Sequence, residues 1–285
     1  MLYWPAFEFH YELQMRRLLP HIAVIEASQA AFRAGILPPQ WRPQASHADA
    51  RAQNDACPEA YSLEEIRQRK QQLMANNASR AQGWVRARFA PCSSAMSLND
   101  IVTMHRLVAQ ESGIRYTGSG QLRKEGLQVV VGDDEIGYHK GAPPEKLTEL
   151  MQQYTQFLYR RDLVEMPAIV HALIAHFFFT TIHPFEDGNG RVSRLVSAAI
   201  LFQRGYNGHG FYALANYFYE NERRYHSLVH RTQRGLVFDL TDFVAFGMEG
   251  LARELEGTNN FLKFKVNRAV RRQQPPPKLR LYFCR

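Results

Sequence analysis

Apolar residues recur three and four positions apart along much of the chain, the spacing of a helix that buries one face. Ile101, Met104, Leu107 and Val108 form such a stripe after Ser97 and Asp100, a pair spaced like a capping box, with Gly113 as the stop. Ser62 and Glu65 repeat that signal ahead of a helix-forming segment, SLEEIRQRKQQLM. After Pro143 and Pro144 the stripe returns as Leu147, Leu150, Met151, Tyr154, Phe157 and Leu158. From Ile169 to Phe179 nearly every position is apolar or histidine, so a helix with Pro167 as its first residue, running to about Thr181, is buried on most sides. Further helices are predicted over about 189–204, ending at Gly205, and over 219–232. The helical spacing lapses at Gln128–Val131 and Ile136–His139, two β-prone runs separated by a turn at Gly132 and Asp133. The N-terminal aromatics Tyr3, Trp4, Phe7 and Phe9 read as a packed element, followed by a loop at the Pro-containing stretch 37–43. No internal repeat is visible. The pattern predicts a mainly α fold, a helical bundle with one short β-hairpin and an N-terminal helical extension.

Composition narrows the class without naming a function. A chain of 285 residues, 45% apolar and 22% charged, can bury a real core, and neither a leader peptide nor a membrane-length apolar run is seen. A cytoplasmic protein with no membrane partner is the expectation. Cys57, Cys92 and Cys284 are too few and too scattered for a disulfide framework or a CxxC metal site. Eight of the chain's basic residues, Lys263 to Arg285, lie in an acid-free C-terminal stretch that accounts for a net charge of +8. Such a stretch reads as a solvated tail or linker, and no nucleic-acid partner is expected of the body.

The segment from Ile182 to Arg194, IHPFEDGNGRVSR, carries the chemistry. Gly188, Asn189 and Gly190 allow unusual backbone angles where a helix begins, so free amides can converge on an anion. Arg191 and Arg194 share the helix face above it and can grip successive phosphates. Asp187 supplies a hard oxygen suited to Mg²⁺, and His183, four residues earlier, has an intrinsic pKa suited to taking a hydroxyl proton. Phe185 between them is the anchor that fixes the loop in the core. His171 and His176 lie five and seven residues from the next histidine, spacings that do not stack three imidazoles on one helix face, so they read as core rather than zinc ligands.

This segment resembles the Fic family motif HxFx(D/E)GNGRxxR, matching all eight specified positions; chance agreement at one start point is about 10⁻⁹. Tyr116, Gly118, Gly120, Leu122, Arg123 and the hairpin are similar to the family's segment and flap that align a target backbone, and the likeness extends over roughly residues 97–245. It implies a protein adenylyltransferase that moves AMP from Mg-ATP to a Ser, Thr or Tyr hydroxyl of a target protein, or of itself. It further implies that His183 is the base. The residues matching Asp187, Asn189 and Arg191 would hold Mg²⁺ and the α- and β-phosphates, and Arg194 the γ-phosphate. Three regions follow: 1–95, helical and regulatory; 96–250, catalytic; 251–285, the basic tail. Many relatives carry an inhibitory (S/T)xxxE(G/N) helix, whose nearest match here is Asp55 to Ala60 with Glu59 as the inhibitory acid. Transfer of another phosphate-containing group, or nucleotide sensing without catalysis, are the alternatives, and a homo-oligomer is left open.

Overall fold

A computed structural model describes residues 9–34, 63–91, 93–109, 118–124, 126–135, 137–206, 214–233 and 237–273. The fold is helical with few strands, as the apolar spacing predicts. Two stretches without a clear stripe are also helices, α1 (Met15–Ala34), with Pro20 inside it, and the second half of α2 (Leu63–Arg88). α3 (Leu98–Ala109) opens on the predicted cap: the Ser97 amide and hydroxyl both donate to Asp100 Oδ2 at 2.8 Å, and Ser97 Oγ accepts from the Asp100 amide at 3.2 Å. Arg88 adds a forked pair to the same carboxylate, Nε to Oδ1 at 2.9 Å and Nη2 to Oδ2 at 3.0 Å, fastening α2 to the start of α3.

α4 (Leu147–Phe157) and the short α5 (Arg161–Val164) lead into α6 (Ala168–Ile182), where Pro167 stands one residue before the helix as its cap. α6 is buried along almost its whole length, with Phe177, Phe178 and Phe179 inaccessible to solvent. α7 (Asn189–Gln203) packs along it. The single helix expected over 219–232 is two, α8 (Leu214–Glu220) and α9 (Glu222–Thr232), broken at Asn221, whose side chain donates to the Tyr217 carbonyl at 2.9 Å. α10 (Thr241–Gln273) is continuous through residue 250, so the basic stretch is helical backbone as far as Gln273. Buried Phe243, Val244, Phe246, Met248, Leu251 and Leu255 hold its first half to the core. Gly247 and Gly250 permit the approach: a Cβ at either would lie 2.3 Å from Leu173 or Tyr217.

The first strand, β1 (Tyr11–Glu12), pairs in parallel with β4 (Phe238–Asp239), which ties the start of the described chain to the segment that enters α10. Phe9 beside it stacks on Phe157 at 4.7 Å and meets Phe178 edge-on at 5.2 Å. The hairpin is β2 (Val130–Asp133) and β3 (Gly137–Lys140), antiparallel with Val131 opposite His139. Its turn falls two residues later than predicted, since Asp133 Oδ1 captures the Glu135 amide at 3.0 Å and moves the reversal beyond Gly132. Among the described residues no helix is long and apolar enough to cross a membrane. Tyr3, Trp4, Phe7, the 37–43 loop, Glu59, Ser62, Gly113 and Tyr116 lie outside the described residues.

Candidate active site

The site is the loop between α6 and α7, and its two boundary residues have left-handed backbones. His183, at φ 53° and ψ 61°, caps α6, and its amide donates to the Phe179 carbonyl at 3.0 Å. It is the only non-glycine at positive φ among the described residues. Such a conformation costs an L-residue about 1–2 kcal/mol and persists only where neighbours enforce it. Arg123 does so. Its buried guanidinium donates to the carbonyls of His183 (2.8 Å), Leu127 (2.9 Å) and Ala142 (2.7 Å), while its backbone amide donates to the Pro184 carbonyl at 3.0 Å. One side chain thus clamps the motif to the base of the hairpin.

His183 Nδ1 faces the Thr180 carbonyl at 3.3 Å. A carbonyl only accepts, so the proton sits on Nδ1 and Nε2 keeps its lone pair. Burial pushes the imidazole pKa down to about 4, helped by His139 and Arg123 and opposed by the Thr180 carbonyl and Asp187. The ring nevertheless retains some solvent access and lines a cavity of about 250 Å³ whose walls also include His139, Gly190, Arg194 and Tyr225. His139, on β3, is neutral for the same reason, held down to about 4 by burial, with its Nε2–H on the Thr181 carbonyl at 2.8 Å.

Gly188, at φ 79°, is the cap of α7, and the amides of Asn189, Gly190 and Arg191 follow in the first turn, where a helix offers its N–H groups no internal acceptor. Asp187 folds back over this end. Its Oδ1 accepts from the Gly188 amide and its Oδ2 from Arg191 Nη2 at 3.0 Å, with the carboxylate 57% exposed. Arg191 also donates to the Val108 carbonyl at the end of α3, 2.7 Å away. Arg194 is largely enclosed, its pKa lowered chiefly by burial, and it forms no ion pair among the described residues. An enclosed cation beside free amides has the chemistry to receive an anion.

The structure therefore brings His183, Gly190 and Arg194 to one cavity and sets Asp187, Gly188 and Arg191 beside it. The backbone N–H of Asn189 stands in the first turn of α7, where the sequence reading puts it, while its side chain has another use. That side chain is buried and closes the loop on itself, Oδ1 accepting from the Phe185 amide at 2.9 Å and Nδ2 donating to the Phe185 carbonyl at 2.7 Å. What Asn189 can offer a phosphate is its backbone N–H. Phe185 is fully buried, as an anchor must be. His176 is a core residue hydrogen-bonded to the Tyr225 hydroxyl at 2.8 Å, and His171 is buried too. Sequence reasoning missed His105: buried on α3, it stacks on Phe185 at 3.8 Å and 3°. A histidine within an apolar helix stripe was the signal that could have found it. Burial lowers its pKa to about 4, against the pull of the Asp187 carbonyl.

No group of three His, Cys, Asp or Glu side chains converges on a common point among the described residues. A metal here would rest on the exposed Asp187 carboxylate with phosphate oxygens and water completing its shell, a donor set that fits Mg²⁺.

Residues 95–201 match the family model described as Fic/DOC family. The chain is 32% identical over 114 residues to "Protein adenylyltransferase Fic" of Nematostella vectensis, a match covering 40% of this chain and 25% of that protein. The corresponding protein of Drosophila ananassae is 33% identical over 111 residues, covering 39% and 20%. The chain thus spans a quarter or less of these relatives' length. Among solved structures, a Fic domain containing signaling protein from Bacteroides thetaiotaomicron superposes with a TM-score of 0.58 at 17% identity, over 86% of this chain and 98% of that one. Fic-1 from C. elegans gives 0.56 at 20% identity, over 90% and 69%. At these identities the structures share the fold.

Proposed function

We propose that this Fic-domain protein is a protein adenylyltransferase, moving AMP from Mg-ATP to a hydroxyl side chain of another protein or of itself. The observation that carries the reading is the disposition of His183: an unprotonated Nε2 beside a cavity that also holds Arg194 and the glycine-flanked start of α7. A site that only sensed nucleotide would need no such base.

In this reading the triphosphate lies across the start of α7, where the Gly188, Asn189 and Gly190 amides and the guanidinium groups of Arg191 and Arg194 meet its oxygens. A bound Mg²⁺ supplies charge neutralisation for the departing pyrophosphate. Asp187 would turn from Arg191 toward that ion, and Arg191 would exchange the carboxylate for phosphate. The target hydroxyl oxygen bonds to the α-phosphorus, the bond from that phosphorus to the bridging oxygen breaks, and pyrophosphate leaves with the electron pair. His183 Nε2 receives the hydroxyl proton while Nδ1–H stays on Thr180.

Incubation of the full chain and a protein lysate with labelled ATP tests the reading. Label at the α-phosphate should appear on protein and label at the γ-phosphate should not. Transfer of the γ-label alone would assign phosphorylation, and transfer of neither would leave a binding module. The role of Asp187 has its own check. Asp187→Asn preserves an oxygen for the Gly188 amide, so the loop should stay folded, while the Mg²⁺ concentration for half-maximal transfer should rise about tenfold or more as the charged ligand is lost. A superimposable Mg²⁺ titration would move the metal to another carboxylate.

A further inference from the structure

His105 is absent from the motif that carries the chemistry, yet it touches the motif in three ways. Its Nδ1 accepts from the Gly120 amide at 2.9 Å, which requires that nitrogen to be unprotonated. The ring's one proton is therefore on Nε2, which donates to the Asp187 carbonyl at 3.1 Å. The ring lies flat on Phe185, and a Cβ added at Gly188 would stand 3.4 Å from it.

In a trans peptide the carbonyl and the following N–H point in opposite directions. Fixing the Asp187 carbonyl on the His105 side therefore sends the Gly188 N–H to the other side, toward the start of α7. An anion already stands there, since that N–H donates to the Asp187 carboxylate, which also meets Arg191. We propose that His105 is a positioning residue for phosphate binding, holding the Asp187–Gly188 peptide so that its amide faces the bound anion. Gly120 completes the device. It sits at φ 84° in the segment that continues to Arg123, so residues 120–123 brace the loop at both ends, through His105 at Asp187 and through Arg123 at His183 and Pro184. The inference rests on the nucleotide reading above and deepens it by naming what orients the phosphate-facing backbone.

The test compares a ligand with phosphates against one without. His105→Phe keeps the ring on Phe185 and removes both hydrogen bonds, whereas His105→Gln can restore an acceptor and a donor. Calorimetric titration of the full chain should show Mg-ATP binding weakened about tenfold in His105→Phe, the scale of one lost charge-assisted hydrogen bond. Adenosine binding should stay within about twofold, since it involves no phosphate, and His105→Gln should recover part of the Mg-ATP loss. A folded His105→Phe that binds Mg-ATP like wild type overturns the proposal, as does an equal loss for ATP and adenosine, the mark of a packing role. If His105→Phe does not fold, His105→Asn carries the same comparison and must show the same phosphate-selective loss. Wild type that binds neither ligand would instead reject the nucleotide reading, and this inference with it.

Discussion

His183→Ala is expected to lower AMP transfer by about 10²- to 10⁴-fold, the usual consequence of losing a positioned base, while Mg-ATP still binds. The size follows from the arrangement. The ring is oriented by the Thr180 carbonyl, its backbone is held left-handed by Arg123, and burial keeps it neutral. None of these is a contact that ATP needs for affinity, so the loss should fall on kcat more than on KM. Alanine is uncomfortable at φ 53°, and His183→Asn, which accepts that conformation more readily, serves as the folding control. A thermal melt of each variant separates lost chemistry from a disturbed loop. Transfer by folded His183→Ala at the wild-type rate would remove His183 from the mechanism.

Acid should unfold this protein well above the carboxylate range. His105, His139 and His171 are buried with pKa values lowered to about 4, and His176 to about 3, in each case mainly by burial. An unfolded histidine titrates near 6.5, so between pH 6.5 and 4 the unfolded chain takes up protons that the native chain refuses. Stability then falls with falling pH by about 1.4 kcal/mol per unit for each ring and levels off only below the folded pKa. At pH 5 these four rings and His183, likewise lowered to about 4, together remove about 10 kcal/mol, comparable with the roughly 5–15 kcal/mol that holds a domain together. Circular dichroism against pH should show a cooperative loss of helix between about pH 6 and 4.5. His171→Leu should flatten that slope by one proton. The ring nitrogens of His171 have only a poorly aligned pull from the Leu158 backbone, so little hydrogen bonding is given up. A midpoint near pH 3, unmoved by His171→Leu, would mean that the buried rings are protonated in the native state.

Helices whose apolar residues repeat in register, α3, α4, α6 and α7, were legible in the sequence because each buries a face or more and its caps are local. α1 was legible only as part of an N-terminal helical extension, without bounds: it carries Pro20, and its inward stripe of Met15, Leu18, Ile22 and Ile25 is blurred by Leu19 and Val24, apolar residues that face solvent. The break at Asn221 was equally hidden, since a side-chain hydrogen bond rather than a proline or glycine makes it. At the site, helix geometry relates Arg191 to Arg194, and the short loop between α6 and α7 keeps His183 and Asp187 near them. The Phe185 contacts of Asn189 also lie within four residues, but the same amide could have faced a ligand, and sequence cannot choose between two hydrogen-bond partners. His105 is 82 positions from Asp187, a distance that only the tertiary fold closes.

The pairing of β1 with β4 has a consequence for how the chain is made. The Gln14 amide donates to the Thr241 hydroxyl at 2.9 Å across 227 positions, and α1 packs chiefly on α10, which comes last among the described elements. During synthesis the amino end therefore leaves the ribosome long before its partner exists. Until then Leu18 and Ile25 have no α10 to cover them, while α3, α6, α7 and the α6–α7 loop have all their mutual partners by residue 203. The α6–α7 loop can therefore fold on its helices first, whereas the cavity wall that Tyr225 supplies and the seating of α1 on α10 come later. Throughout that interval the orphaned amino-terminal helix is the natural client surface for a chaperone.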